Sequence, residues 1–137
     1  MAAELNLTGG CLCGAVRYRC GAPIYAPVYC HCTSCRRAAG AHAVAWFTVG
    51  DDSLAFTQGQ PAMYRSSPPV QRAFCARCGT QITYRHDLRP GEIDITVGSL
   101  DEPDRVAPAD HIWMEDAASW DRPGDGLPCH RRSRTSG

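Results

Sequence analysis

A chain of 137 residues with 44% hydrophobic and 20% charged side chains is sized for one globular domain with a buried core. Fourteen basic residues balance fourteen acidic ones, so no overall field draws it to nucleic acid or to an anionic membrane surface. No apolar run approaches membrane-spanning length, and the start, Met1-Ala2-Ala3-Glu4-Leu5-Asn6-Leu7, lacks the segments of a secretory signal, which makes the cytoplasm the expected location.

In chain order, a short alternating segment over Leu5 to Thr8 is expected to break at Gly9-Gly10, just before Cys11-Leu12-Cys13-Gly14. Val16, Tyr18 and Cys20 alternate with Arg17 and Arg19, which predicts a half-buried strand. Ile24 to Tyr29 is a second strand, and Pro27 within it predicts an edge or a bulge. This strand runs into Cys30-His31-Cys32-Thr33-Ser34-Cys35. A helical turn over Arg36 to Ala39, ended by Gly40, follows. His42 to Val49 and Ser53 to Thr57 read as strands, and Met63 to Arg65 as a fragment. Val70 to Phe74 delivers Cys75-Ala76-Arg77-Cys78, and Gln81 to Tyr84 is the return strand. Ile93 to Val97 alternates cleanly, and His111 to Met114 is a last short strand. Nothing shows sustained helical periodicity, so the expected class is all-β, with many short strands and Gly/Pro turns. The basic run His130-Arg131-Arg132-Ser133-Arg134 lies past the last element and is expected to be a frayed, solvated tail.

Seven of the nine cysteines fall in three clusters. In a reducing compartment such clusters point to metal rather than to disulfides, and the odd count agrees. Cys75-x-x-Cys78-Gly79 has the form of a zinc knuckle, and Cys11-x-Cys13-Gly14 that of a shorter counterpart. Paired in space, the two make one closed site of four thiolates; the competing reading is that they are simply buried thiols. The trio Cys30, Cys32 and Cys35 has no obvious fourth ligand in its own segment. His31 lies inside the run, but extended backbone turns it away from its neighbours. Either His42 or His111 closes the site from elsewhere, or the fourth position stays open as in catalytic zinc. Three thiolates make zinc a poor activator of water and a soft acceptor for sulfur, so a thiol is the expected ligand. Cys20 reads as a core residue and Cys129 as an incidental thiol. There is no P-loop, dinucleotide fingerprint or G-x-S-x-G elbow.

Gly10-Cys11-Leu12-Cys13-Gly14-Ala15-Val16, Cys30-His31-Cys32-Thr33-Ser34-Cys35-Arg36 and Phe74-Cys75-Ala76-Arg77-Cys78-Gly79-Thr80 stand in one order with Val97-Gly98-Ser99-Leu100-Asp101, His111-Ile112-Trp113 and Trp120. Together they resemble the family of glutathione-dependent formaldehyde-activating enzymes, which also includes centromere protein V. The resemblance implies a zinc-binding β-tent of short stacked antiparallel sheets over residues 5–128; the remaining 129–137 is, from its basic composition, expected to be a disordered tail. It implies two zinc ions: a structural one on Cys11, Cys13, Cys75 and Cys78, and a catalytic one on Cys30, Cys32 and Cys35. The implied activity is that of a carbon–sulfur lyase acting on a thiol–aldehyde adduct, such as that of glutathione and formaldehyde. A thiolate adds to the carbonyl carbon, and a donor protonates the alkoxide. His31, Ser34, His42 and His111 are the candidate donors, Trp46, Phe47 and Trp113 candidate pocket walls, and Arg36 or Arg37 a candidate carboxylate holder. For each of these residues a purely structural role competes. The competing function is a non-catalytic, zinc-stabilised interaction module; a near-neutral chain without basic extensions favours the small-molecule reading.

Overall fold

The computed structural model describes residues 6–134. Its elements are β1 (Asn6–Gly10), β2 (Arg17–Gly21), β3 (Tyr25–Cys30), α1 (Thr33–Ala39), β4 (Val44–Gly50), β5 (Leu54–Gln58), β6 (Ala62–Ser67), β7 (Val70–Phe74), β8 (Gln81–His86), β9 (Glu92–Thr96) and β10 (His111–Ile112), with a few single 3₁₀ turns. The expected all-β class is what the chain adopts, with one short α-helix added. Leu5, where the sequence reading starts the domain and its first strand, and residues 135–137 of the basic tail lie outside the described residues.

Two sheets form. One has the order β1-β2-β5, and the other the order β10-β3-β4-β9-β8-β7-β6. Every pairing is antiparallel except the short parallel contact of β10 with β3. Period-two alternation decides what lies between the sheets. Leu7, Tyr18 and Cys20 from the small sheet meet Phe47, Val49, Ile82, Ile93 and Ile95 from the large one. Phe47 has no exposed surface at all, so it belongs to this core and not to a pocket wall. Burial of each large apolar side chain here contributes about 1.5–3 kcal/mol before the entropy of ordering is subtracted.

Gly9 and Gly10 do not end the first strand, which continues through both. A Cβ on Gly9 would lie 2.4 Å from the Tyr18 hydroxyl and 2.5 Å from the Ser99 carbonyl oxygen. Glycine at position 9 is thus a packing requirement, making room for a buried tyrosine whose hydroxyl sits 2.6 Å from Ser99 Oγ. Pro27 lies where β3 slips in register against β4, between Tyr25 and Val28, as a proline in a strand predicts. The expected fragment at Met63 to Arg65 is a full six-residue edge strand, β6. The helix starts three residues earlier than expected, because Cys32 serves as its N-cap, its sulfur accepting from the Cys35 N–H.

The basic run is not frayed over the residues described. His130 N–H donates to the His111 carbonyl (2.8 Å), and Trp113 N–H to the Arg132 carbonyl (2.8 Å). Arg134 grips the buried Asp110 with two bonds of 2.5 Å, and Glu115 accepts from Arg131 and Arg132. The physical reason is satisfaction of buried polar groups: β10 is an edge whose backbone needs partners, and buried Asp110 needs a cation.

Two predictions test this frame. Gly9→Ala should destabilise the fold by about 1–3 kcal/mol in urea titration, since the extra methyl overpacks against backbone. Asp101, bonded by Arg17 (2.5 and 2.9 Å) and the Thr8 hydroxyl (2.7 Å), is lowered from 3.8 to about 2, first by the Arg17 bonds. Its folded pKa lies below the unfolded one, so its contribution is present above pH 4 and lost as pH falls through about 2. Asp101→Asn should therefore lower stability at neutral pH, modestly because the pair is exposed, and leave it unchanged near pH 2.

Candidate functional site

Two turns bring the outer cysteines together. In the first, Gly14 N–H donates to the Cys11 carbonyl (3.1 Å), Gly14 has φ of +81°, and Val16 N–H points at Cys11 Sγ (3.2 Å). In the second, the hairpin between β7 and β8, Gly79 N–H donates to the Cys75 carbonyl (2.8 Å), Gly79 has φ of +84°, and Cys78 N–H points at Cys75 Sγ (3.4 Å). Backbone N–H groups aimed at sulfur stabilise thiolate, and glycine accepts the left-handed conformation that each turn demands. The Thr80 hydroxyl lies 3.2 Å from Cys78 Sγ and, as the largest influence, pulls that thiol down to about 5.

Cys11 and Cys13 Sγ are 3.7 Å apart, Cys13 and Cys75 Sγ 3.8 Å, and all four sulfurs lie within 4.8 Å of one another. A zinc–sulfur bond of about 2.3 Å gives a tetrahedron edge of about 3.8 Å. The four cysteines are free thiols, and their spacing fits the ion. Four donors on two turns would fill its tetrahedral shell, with no position left over.

Cys30, Cys32 and Cys35 form a second group, also within 4.8 Å of one another and without a fourth Cys, His, Asp or Glu among the described residues. Strand β3 ends on Cys30, the helix cap is Cys32, and the first helical turn carries Cys35 inward. Cys32 is pushed down to about 2, chiefly by bonds from the Cys30 and Cys35 thiols; the Cys35 N–H (3.3 Å) and the charge of Arg72 act in the same sense. Cys30 is driven up, first by its bond to Cys32. These donors also suit a soft metal ion.

The three sulfurs open on a cavity of about 860 Å³ between β3, α1 and the outer face of the large sheet. Strand register composes its floor. Cross-strand partners share a face, so Arg72, Tyr84, Asp94 and Thr48 make one row across β7, β8, β9 and β4. Trp46, Val28, Ile112 and Trp113 add apolar wall, with Trp113 held at φ of +61°. Arg89 is committed to Glu92 (2.9 Å) and to Asp94 by two bonds of 2.9 and 3.0 Å.

The sequence-derived candidates divide. Ser34, Trp46 and Trp113 line the cavity. Phe47, His31, His42, His111, Arg36 and Arg37 do not. His31, 1% exposed, has Nε2 2.9 Å from His111 Nδ1, while His111 Nε2 lies 2.8 Å from Asp125. His31 Nδ1 faces Asp121 at 3.2 Å, and Asp121 also meets His42 at 2.7 Å. Burial lowers the His31 pKa and keeps the ring neutral. Tyr29 stacks on His111 at 4.7 Å. This network fastens β3, β10 and the loop past Trp120 behind the trio. Cys20 lies in the core, and Cys129 is exposed.

Sequence reasoning missed Arg72 and Tyr84. A signal existed for the first: Arg72 shares strand parity with Val70 and Phe74, and a charge on an apolar face is uncommon.

The family described as glutathione-dependent formaldehyde-activating enzyme matches residues 6–116. The chain belongs to that family. A Halomonas elongata protein, provisionally named a glutathione-dependent formaldehyde-activating enzyme, is 30% identical over 127 residues, covering 83% of this chain and 78% of its own. A crystal structure of a Rhodobacter sphaeroides protein, a structural-genomics target, is similar in fold at a TM-score of 0.58. It is 20% identical, and the match spans 90% of this chain and 98% of that one. No helix among the described residues is long and apolar enough to cross a membrane.

Proposed function

We propose that the chain is a zinc-dependent enzyme of the carbon–sulfur lyase type, joining or parting a thiol and an aldehyde such as glutathione and formaldehyde. The observation that carries this reading is the contrast between the two cysteine groups: four thiols complete a tetrahedral set, whereas three thiols, with no fourth Cys, His, Asp or Glu beside them among the described residues, line a cavity. Cys11, Cys13, Cys75 and Cys78 would hold a structural zinc, and Cys30, Cys32 and Cys35 a catalytic one. Bound to the trio, zinc supplies a soft Lewis acid that favours the ionised form of an incoming thiol.

The chain's own groups do the rest. Trp46, Ile112 and Trp113 form the wall that keeps water from the reacting carbon. As sulfur adds to the carbonyl carbon, the π electrons pass to oxygen, which needs a proton. Tyr84 supplies it in this reading: its phenol lines the cavity, carries no hydrogen bond among the described residues, and is held in its protonated form by burial. The Ser34 hydroxyl is the second donor on the cavity wall. His31, His42 and His111 hold the scaffold in this reading, since none of these three reaches the cavity.

Metal content tests the division of labour. Purified protein should carry two zinc ions per chain. Cys32→Ser should lose one and keep the fold, whereas Cys78→Ser should unfold or precipitate the protein by opening the closed site. Equal behaviour of the two variants would refute the assignment.

Activity is tested by timing adduct formation from glutathione and formaldehyde against the uncatalysed addition in the same buffer. Wild type should exceed that background, and Tyr84→Phe should reduce the excess about 10²- to 10⁴-fold with little change in thiol affinity. A wild-type rate equal to background with every thiol tried would sink the enzyme reading in favour of a binding module.

A further inference from the structure

Arg72 is the one buried cationic side chain among the described residues that has no carboxylate beside it. It is 6% exposed. Its Nε donates to Ser66 Oγ (3.1 Å) and its Nη1 to Gln81 Oε1 (3.0 Å), both neutral acceptors. The guanidinium carbon lies 4.9 Å from the centre of the Tyr84 ring. Tyr84 in turn packs against the cluster that contains Cys30, Cys35 and Trp46. Arg72, the trio and Tyr84 line one cavity. The acids of that cavity are engaged elsewhere: Asp94 and Glu92 by Arg89, and Asp116 by the Thr33 N–H (3.4 Å).

An arginine stays charged at any accessible pH, and a buried charge without a partner is costly. Such a charge persists where an anion completes it. A divalent ion on three thiolates carries a net charge of −1, and a fourth thiolate makes it −2. Each added negative charge is harder to accommodate in a walled cavity unless a cation faces it.

We propose that Arg72 is the counter-ion of the metal–thiolate group on Cys30, Cys32 and Cys35, and that its charge selects an anionic sulfur as the fourth ligand. This rests on the reading of the trio as an open metal site. Cys30, Cys32 and Cys35 would hold the ion, an incoming thiol would give its proton to solvent as its sulfur lone pair took the fourth position, and Arg72 would face the extra charge. A neutral ligand gains nothing from it. Arg72 is thus a positioning and selectivity residue, held in place by Ser66, Gln81 and the Tyr84 face.

The test uses the full chain loaded with cobalt(II), whose visible spectrum reports the ligands on each site. Wild type, Arg72→Gln and Arg72→Lys are titrated with 2-mercaptoethanol, which has no carboxylate, with glutathione, which has two, and with imidazole, which is neutral. Expected for Arg72→Gln is a 10- to 100-fold loss of mercaptoethanol affinity with imidazole binding within twofold of wild type. Arg72→Lys should recover most of the loss. The cobalt at Cys11, Cys13, Cys75 and Cys78 serves as the internal measure of folding. Equal losses for mercaptoethanol and imidazole, or no rescue by lysine, would mean a structural arginine and would overturn the proposal. Loss confined to glutathione, with mercaptoethanol unaffected, would make Arg72 a carboxylate holder and would overturn it as well. If wild type binds no metal at the trio, the underlying reading of the site fails and takes the proposal with it. Metal at the trio with unchanged thiol affinity in Arg72→Gln refutes Arg72 alone.

Discussion

Cys13 and Cys75 stand 62 positions apart in the chain, yet their sulfurs are 3.8 Å apart. That approach joins the turn after β1 to the hairpin between β7 and β8, and so ties the small sheet to the large one. The packing on either side depends on it. Cys11 and Cys75 are themselves members of the main core, beside Tyr18, Ile82 and Leu100. A domain of this size has little stability to spare, and an ion held by these four sulfurs, which stand at the edge length of a zinc tetrahedron, would add to what keeps the layers together.

The fixed layers leave the other face of the large sheet free for a different use. Because side chains alternate, each strand that buries one residue in the core must offer its neighbour to the cavity. Phe47 and Ile95 face inward while Thr48 and Asp94 face out, and the same parity delivers Tyr84 and Arg72. The trio closes this cavity from above, where β3 ends and α1 begins. The two cysteine groups thus differ in the number of donors they bring together. One has four sulfurs carried by two turns, the other three sulfurs that line a walled space, and the helix cap at Cys32 orients the second group without supplying a fourth donor.

Much of this was legible in the sequence for a physical reason: metal ligands must be close in space, so tight spacing such as Cys75-x-x-Cys78-Gly79 reports local geometry directly. Alternation at Ile93 and Ile95 was equally plain, since a two-residue period needs no partner to be seen. What was hidden depends on pairing at long range. Gly9 resembles a strand breaker until Tyr18 is placed beside it, and the basic residues from His130 to Arg134 resemble a loose tail until Asp110 and Glu115 are found waiting for them. The histidines were legible in part for a related reason. That His31 turns away from its two flanking cysteines follows from extended backbone alone, whereas its partners, His111 and Asp121, lie far along the chain.

The same rule of opposite sides bears on where charge sits around the cavity. Arg89 and Arg134 lie at its edge and are neutralised by Glu92, Asp94 and Asp110, so they add rigidity and little field. Arg36 and Arg37 sit on the helix outside the cavity wall, the first half-buried and the second exposed to solvent. Arg72 differs because its strand is interior, its neighbours are a serine, a glutamine and a tyrosine face, and water is nearly excluded. A lone cation in that position exerts its field on whatever occupies the cavity, and the trio is the group in the cavity built to become an anion.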